Sequence, residues 1–292
     1  MCPCYTHRVR VLILSDIHSN LAALEAVLRH AGDAGPIDAA WCLGDTVGYG
    51  PQPRECIARL RELGAVMVAG NHDRAATGAM GIEEFNQDAA TAARWTMAQL
   101  SAEERSFLDG LPEVVVMAAA EPHSLPSEAD QPAAEKAGVR EDRVDPSLKA
   151  GASGAEFTLV HGTLRWPMWE YLYSHEAARA HLERQQTPFG LVGHTHVPML
   201  VVEGPQFPQG CELYYLEDGY RLTLTREQKL VINPGGVGQP RDGDPRAAYA
   251  LYDSADATLS LHRVEYDIGA TQKLMEEARL PRWLIERLAL GR

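Results

Sequence analysis

Five short motifs in this chain contain the side chains that metal ions bind in proteins: imidazoles, carboxylates and one amide oxygen. In chain order they are Asp16-Ile17-His18, Gly44-Asp45, Gly70-Asn71-His72-Asp73, His161-Gly162 and Gly193-His194-Thr195-His196. The two side chains of an Asp-x-His or His-x-His unit point the same way only in extended backbone. A strand end, or the loop just beyond it, supplies that geometry.

The motifs provide seven candidate metal ligands: Asp16, His18, Asp45, Asn71, His161, His194 and His196. Seven ligands are too many for one tetrahedral ion and suit two ions that share a bridging carboxylate. We therefore predict two divalent metal ions as cofactor, drawn from Mn, Fe, Zn, Co and Ni, because a mixed ligand set tolerates several metals. Each motif alone also fits a polar loop without metal, so the prediction depends on their common position after predicted strands.

Each motif follows a short apolar run that is typical of a buried strand. The runs lie at residues 9–14, 39–43, 65–69, 157–160 and 189–192. In the first part of the chain they alternate with helical patterns, of which we expect Ser19 to cap the first. Alternating strands and helices predict right-handed crossovers and a largely parallel sheet.

The later part of the chain has a different pattern. A helical stretch at residues 82–108 and a strand at 114–117 precede a segment, 118–154, with almost no large apolar side chain. Such a segment cannot bury enough surface to order itself, so we predict a mobile insertion, with a substrate lid as the alternative. Short strands at 197–266 predict a second sheet of mixed or antiparallel pairing. Two helices at about 271–279 and 281–290 complete what we expect to be a single domain over residues 1–292.

Composition favours a cytoplasmic protein. The net charge of −13 argues against nucleic acid or an anionic membrane as a partner. It permits a small phosphorylated substrate, because two divalent ions would add about four positive charges at the site. Five scattered cysteines fit a reducing compartment, with Cys2-x-Cys4 as an alternative soft-metal hook. No apolar run reaches the ~18 residues of a membrane span, and the oligomeric state stays open, a homo-oligomer included.

The order of the five motifs resembles that of the calcineurin-like metallophosphoesterase superfamily: D-x-H, G-D, G-N-H-[DE], H-G and G-H-[TS]-H. The stretch from Asn233 to Arg241 is also similar to the N-P-G-S-V loop of the small prokaryotic, phosphodiesterase-like members. The resemblance covers about residues 9–253. It implies an α/β (α+β) fold, a four-layer α/β/β/α sandwich of two mixed sheets flanked by helices.

The resemblance also implies roles for individual residues. It assigns Asp16, His18 and His196 to one metal, Asn71, His161 and His194 to the other, and Asp45 to both. His72 would match the family's catalytic histidine and stabilise or protonate the leaving oxygen. Asn20 and Arg241 are weaker candidates for phosphate contacts, with a solvated helix cap and a surface side chain as their alternatives.

One departure separates this chain from part of the superfamily. Its protein Ser/Thr phosphatases, and relatives that cleave diadenosine tetraphosphate symmetrically, carry an arginine shortly after the bridging aspartate, where this chain has Tyr49. Gly48 stands where the protein phosphatases have an aspartate partner for the catalytic histidine, a role that Asp73 could take here. A bidentate phosphate clamp is missing from this position, which argues against a protein phosphatase.

We therefore expect a metal-dependent hydrolase of a small phosphodiester or phosphomonoester, nucleotides included. The reaction would be in-line attack by a hydroxide held between the two metals. The alternatives are a hydrolase of dinucleoside polyphosphates or other pyrophosphate bonds, a nuclease, and a catalytically silent scaffold protein of the same fold. The aromatic cluster at residues 166–173 would stack a nucleobase, belong to the core or form a subunit contact.

Overall fold

The structure is a computed structural model that describes residues 8–118 and 155–292. Apart from Ala118, the predicted insertion at 118–154 lies outside these residues, as do Cys2 and Cys4. The remaining cysteines, Cys42, Cys56 and Cys211, are free thiols and buried.

Twelve strands form two six-stranded sheets in the described part of the chain. The first sheet contains, in spatial order, β3 (Val66–Met67), β2 (Ala39–Cys42), β1 (Arg10–Leu14), β11 (Ala247–Asp253), β12 (Thr258–Val264) and β9 (Arg221–Thr223). The second contains β4 (Val114–Ala118), β5 (Ala155–Val160), β6 (Phe189–Leu191), β10 (Leu230–Asn233), β7 (Met199–Glu203) and β8 (Cys211–Tyr215).

Both sheets are mixed. Strands β1, β2 and β3 are parallel, as are β5, β6 and β10, whereas every other pairing is antiparallel. The expectation of a largely parallel sheet is therefore correct for the first three strands and wrong for the first sheet as a whole, whereas the two mixed sheets that the family resemblance implies are confirmed. The reason is that β11 joins β1 from far along the chain and extends the sheet through the β11–β12 hairpin.

The helices are α1 (Leu21–Asp33), α2 (Pro53–Glu62), α3 (Asn71–Thr77), α4 (Gln87–Gln99), α5 (Ala102–Asp109), α6 (His175–Arg184), α7 (Ile268–Glu277) and α8 (Arg282–Glu286), followed by a 3₁₀ turn, Arg287–Leu290. The predicted helical stretch at 82–108 is interrupted, because Ser101 caps α5 in a capping box with Glu104. Across residues 8–118 and 155–292, no helix combines the length and apolar character that crossing a membrane requires.

The side chains of β1 show how the layers pack. Val11 and Ile13 belong to the core between the two sheets, where they pack with Phe157 of β5. Leu12 and Leu14 belong to the core on the opposite face, which α1 and α2 cover. On the outer face of the second sheet a third core packs β5 and β10 against α6. The result is the predicted four-layer α/β/β/α sandwich.

The carboxyl ends of the parallel strands in both sheets lie at one edge of the sandwich. The loop after β10 joins the two sheets there, because the Val237 N–H donates to the Ser15 oxygen and the Gly238 N–H donates to the Asp16 oxygen, both at 2.9 Å. On the second sheet, the Gly193 N–H donates to the His161 oxygen at 2.8 Å. The five sequence motifs therefore meet at a single edge.

Candidate metal centre

Asp16 and His18 lie in the loop that follows β1. Both have left-handed backbone, with φ of 52° and 48°. Non-glycine residues enter this region at a cost of roughly 1–2 kcal/mol, so surrounding contacts must hold them there. The Asp16 N–H donates to the Gly44 oxygen at 3.1 Å, and the His18 N–H donates to the Asp45 oxygen at 2.9 Å. Three further candidate ligands share this conformation: Asp45, His194 and His196.

Four buried side chains form a first group of ligand atoms: Asp16, His18, Asp45 and His196. The Nε2 atoms of His18 and His196 are 3.1 Å apart. Asp16 Oδ1 lies 3.2 Å from the Nε2 of His196, and Asp45 Oδ2 lies 3.6 Å from the Nε2 of His18. None of the four residues is more than 1% exposed, so these atoms converge away from water.

Backbone carbonyls fix which nitrogen of each ring faces the group. The Nδ1–H of His18 donates to the Val47 oxygen at 3.1 Å, and that of His196 donates to the Gln239 oxygen at 2.6 Å. Both Nε2 atoms are therefore unprotonated acceptors that cannot hydrogen-bond to each other. Burial lowers the pKa of both histidines well below the usual value, which disfavours a proton between them. A cation between the two lone pairs satisfies both.

The second group of ligand atoms has the same design. The Nε2 of His161 lies 3.0 Å from the Nδ1 of His194, 3.2 Å from Asn71 Oδ1 and 3.3 Å from Asp45 Oδ2. The outer ring nitrogens donate to backbone oxygens, His161 to Leu43 at 2.8 Å and His194 to Trp169 at 3.3 Å. Four acceptor atoms are thus directed at one point. Burial opposes protonation, but the Asp45 carboxylate raises the pKa of His161 to about 9, so a proton and a metal ion compete for its Nε2.

Asp45 is the residue that the two groups share. Its Oδ1 accepts the His72 N–H at 2.9 Å, which leaves Oδ2 facing both groups. The two carboxylate oxygens of Asp16 also have different roles. Oδ2 accepts from the Ser15 hydroxyl at 2.6 Å and from the His194 N–H at 3.1 Å. Among the residues that the structure describes, its Oδ1 is buried without a hydrogen-bond partner. An oriented, orphaned carboxylate oxygen among unprotonated imidazoles fits a divalent metal ion.

His72, the predicted catalytic histidine, lies beside both groups. Its ring centroid is 5.0 Å from that of His18 and 4.3 Å from that of Tyr49. Burial lowers the pKa of His72 to about 4, so the imidazole is neutral at pH 7 and carries one N–H. Its Nδ1 is buried and has no hydrogen-bond partner among the described residues.

The suggestion that Asp73 orients His72 is wrong. The Asp73 carboxylate accepts the Val47 N–H at 3.1 Å and the Gly70 N–H at 3.0 Å, so it caps α3 and supports the loop after Asp45. Gly48 lies against the His72 ring instead. A Cβ at this glycine, whose φ is 95°, would lie 2.6 Å from His72 Nδ1. The ring therefore approaches backbone at a position where a side chain does not fit.

Asn233 positions the loop that carries two of the ligands. Its Nδ2 donates to the Gly193 oxygen at 2.6 Å and to the Thr195 hydroxyl at 2.9 Å. Its Oδ1 accepts the Gly235 N–H at 2.8 Å, and the residue is fully buried. The motif resemblance marked this residue without indicating its role, which depends on contacts 38 and 40 residues away in sequence.

The Asn20 amide is used inside the fold. Its Oδ1 accepts the Ala23 N–H at 3.2 Å and the Thr271 hydroxyl at 3.0 Å, and its Nδ2 donates to the Gly238 oxygen at 2.9 Å. Asn20, rather than Ser19, is thus the N-cap of α1. These bonds occupy its acceptor and one donor and give Asn20 a structural role, while the phosphate contact at its second N–H stays a prediction.

Arg241 and several aromatic side chains form the rim of the site. The Arg241 guanidinium carbon lies 5.7 Å from the centroid of the Tyr49 ring, and its Nε has no hydrogen-bond partner in the described part of the chain. Tyr171 stacks on His194 with centroids 3.9 Å apart and an interplanar angle of 13°. Sequence reasoning placed an aromatic cluster near the pocket but did not identify this stacking, which no local pattern encodes.

Comparisons with known proteins identify the family and the fold. A family model described as a calcineurin-like phosphoesterase superfamily domain matches residues 9–257. An uncharacterized protein of Methanocaldococcus jannaschii is 34% identical over 283 residues, which cover 97% of this chain and 98% of that protein. The crystal structure of a metallophosphoesterase from Sphaerobacter thermophilus is similar with a TM-score of 0.77 and 39% identity, covering 98% of this chain and 100% of that chain.

A crystal structure of a hypothetical protein from Pyrococcus horikoshii OT3 is also similar, with a TM-score of 0.70 and 19% identity. The match covers 97% of this chain and 99% of that chain. At this identity the likeness concerns the fold alone.

Proposed function

This chain belongs to the calcineurin-like phosphoesterase superfamily, and on that premise we propose that it hydrolyses a small phosphodiester or phosphomonoester with the help of two divalent metal ions. The observation that supports this proposal is the arrangement of the inward-facing ligand atoms. Two groups of buried acceptors face two points and share one carboxylate, Asp45. A protein that uses such loops only as structure would pair these lone pairs with donors.

Divalent cations, when bound, supply Lewis-acid activation of water and neutralise charge on the phosphoryl oxygens. The chain's own residues position the reactants. Asp45 holds the two ligand groups at a fixed separation and, through its other oxygen, holds the backbone of His72. In this proposal the neutral His72 donates its N–H to the oxygen that leaves phosphorus, in a pocket whose low exposure strengthens the hydrogen bond.

The substrate in this proposal is small and the compartment is the cytoplasm. A net charge of −13 disfavours long nucleic acids, which require many phosphate contacts from basic residues. Three buried free thiols fit a reducing compartment. Manganese is the first metal to test, because carboxylate and amide oxygens accompany the imidazoles.

The test begins with metal-stripped protein reloaded separately with Mn, Fe, Zn, Co or Ni. Metal content is measured together with turnover of bis-p-nitrophenyl phosphate and p-nitrophenyl phosphate. We expect about two metals per chain and turnover of at least one ester. Two bound metals without turnover of either ester would favour the scaffold protein, and failure to bind metal would overturn the proposal.

The role of His72 is tested by His72→Asn in the metal-loaded protein. Loss of a positioned proton donor lowers kcat by ~10²–10⁴-fold. The matched control is His175→Asn, because His175 is 35% exposed in its side chain and contacts Glu212 away from the ligand groups. Unchanged kcat in His72→Asn at full metal content would show that His72 is not the proton donor.

A further inference from the structure

His194 is the least restrained of the four histidines among the candidate metal ligands. Its outer ring nitrogen donates to the Trp169 oxygen at 3.3 Å, whereas the corresponding bonds of the other three histidines measure 2.6, 2.8 and 3.1 Å. A hydrogen bond of 3.3 Å lies beyond the usual range for N–H···O and restrains a ring weakly. A second contact is therefore needed to fix the plane of the His194 ring.

The segment after β5 supplies that contact. The Tyr171 ring lies on the His194 ring with centroids 3.9 Å apart and an interplanar angle of 13°, which is close to face-to-face stacking. The Tyr173 hydroxyl donates to the Thr195 oxygen at 2.9 Å and so holds the backbone of the ligand loop. We call Trp169, Tyr171 and Tyr173 the aromatic clamp. Together they contact the face of the imidazole, its outer nitrogen and the next residue of the loop.

Hydrogen bonds within the same segment hold the aromatic clamp in place. Glu170, which directly precedes Tyr171, accepts from Arg165 Nε with both carboxylate oxygens, at 3.0 and 3.1 Å. The Thr163 hydroxyl donates to the same carboxylate, whose side chain is only 9% exposed. A segment that is already ordered loses little entropy when it makes a contact, so it can restrain a neighbouring ring.

The stack of Tyr171 on His194 differs from ordinary core packing. Tyr171 remains 44% exposed, whereas His194 is 3% exposed. A tyrosine that only buried apolar surface would lie with its ring inside the core. The negative face of the tyrosine ring suits an imidazole that ligates a cation, because the cation withdraws electron density from the imidazole. The contact is then stronger with metal bound than without it, and such a difference raises metal affinity.

We propose, resting on the two-metal site of the proposed function, that the aromatic clamp positions His194 and selectively retains the metal of its ligand group. Tyr171 is the main positioning residue, because its ring covers the face of the imidazole. Among the residues that the structure describes, no ring of the clamp stacks on His18 or His196 of the other group. The clamp gives part of the aromatic cluster at residues 166–173 a role in metal retention.

The test is a titration of the metal-stripped protein with Co²⁺, whose visible absorption changes with its ligands and geometry. Two reference variants assign the binding steps. Asn71→Ala removes a ligand from the group that contains His194, and His18→Ala removes one from the other group. We expect Tyr171→Leu to weaken the Asn71 step by roughly 3- to 10-fold, as for loss of one aromatic pair, and to leave the His18 step within about twofold. The absorption band of the Asn71 step should shift as well.

Three variants control for effects on the fold. Tyr171→Phe keeps the stacking ring and should bind Co²⁺ as the wild-type protein does. Tyr171→Gln replaces Tyr171→Leu if that variant does not fold, because a position that is 44% exposed accepts a polar side chain. The matched control is Tyr214→Leu on β8, because Tyr214 is 45% exposed and stacks on no candidate ligand in the described part of the chain.

The outcomes separate this inference from the proposed function. The inference is overturned if Tyr171→Leu weakens both steps equally, the His18 step alone or neither. It is also overturned if Tyr214→Leu has the same effect or if Tyr171→Phe binds as weakly as Tyr171→Leu. If the wild-type protein binds two Co²⁺ ions and turns over no ester, the proposed function fails, while the titration still decides the role of the clamp. A wild-type protein that binds no metal would overturn both.

Discussion

Asn233 offers a sharp test of how the fold holds the metal ligands. Asn233→Asp keeps the size and shape of the side chain but replaces the Nδ2 donor with an acceptor oxygen. In the wild-type protein that donor reaches the Gly193 oxygen at 2.6 Å and the Thr195 hydroxyl at 2.9 Å. The substitution therefore removes two buried hydrogen bonds and directs a carboxylate oxygen at a carbonyl oxygen, without creating a cavity.

The expected loss follows from these two contacts. The Gly193 oxygen still accepts the Thr195 N–H and the Thr195 hydroxyl still accepts the Val197 N–H. Loss of the two hydrogen bonds from Asn233, at about 0.5–1.5 kcal/mol each, therefore lowers the free energy of unfolding by about 1–3 kcal/mol. A typical domain has ~5–15 kcal/mol in total, so the variant should fold but unfold at a lower urea concentration. The affected loop carries His194 and His196, one from each ligand group. We therefore expect metal affinity to fall by about 10- to 100-fold, as for other partners that orient metal ligands.

Urea unfolding of the metal-stripped protein measures the first effect, and titration with Mn²⁺ or Zn²⁺ measures the second. The matched control is Asn86→Asp, the same chemical change at the N-cap of α4, where the side-chain oxygen accepts the Ala89 N–H. Aspartate caps helices as well as asparagine does, so this control should be near neutral. If Asn233→Asp behaves like Asn86→Asp in both assays, Asn233 does not position the ligand loop.

Three further predictions follow from other contacts. Gly48→Ala should lower kcat at unchanged metal content and destabilise the fold by about 1–2 kcal/mol, because its φ of 95° and the nearby His72 ring leave no room for a Cβ; wild-type kcat and unfolding free energy would contradict this. Removing metal with a chelator should lower the melting temperature, since each site loses about 2.7 kcal/mol when metal had been present at 100 times its Kd; equal melting temperatures with and without chelator would count against bound metal. Burial lowers the pKa of His181 to about 4 from 6.5, so the unfolded chain binds its proton first and stability present above pH 6.5 is lost as pH falls toward 4, by at most about 3 kcal/mol. Urea unfolding at several pH values checks this loss, which should be smaller in His181→Gln; an equal slope in both proteins would rule out His181 as its source.

The sequence predicted the fold and the position of the site through local signals. Strand-like runs before each motif placed the polar side chains at strand ends, and the order of the motifs identified the superfamily. The predicted continuous helix at 82–108 was wrong, because Ser101 caps a new helix, α5. The predicted cap at Ser19 was wrong by one residue, because Asn20 caps α1. The amount of parallel pairing in the first sheet was overestimated, because the antiparallel pairing of β1 with β11 joins residues more than 200 positions apart in sequence.

The candidate site was also predictable only in part from local sequence. The sequence predicts that Asp16, His18 and the other candidate ligands lie at strand ends, because strand ends and tight loops are set by neighbouring residues. Their assignment to two metals stays a prediction until metal is measured. The structure adds that the seven side chains approach each other in two groups.

The sequence by itself determined which side chains are available for chemistry and at which edge of the fold they gather. Only the tertiary structure decided which ring nitrogen of each histidine faces the ligand group, because a backbone oxygen from another loop, such as Val47 for His18, binds the other nitrogen. It also decided that Asp73 supports the loop after Asp45 and that Arg241 lies over the ring of Tyr49. These facts depend on how separate loops pack together, and no short stretch of sequence contains both partners.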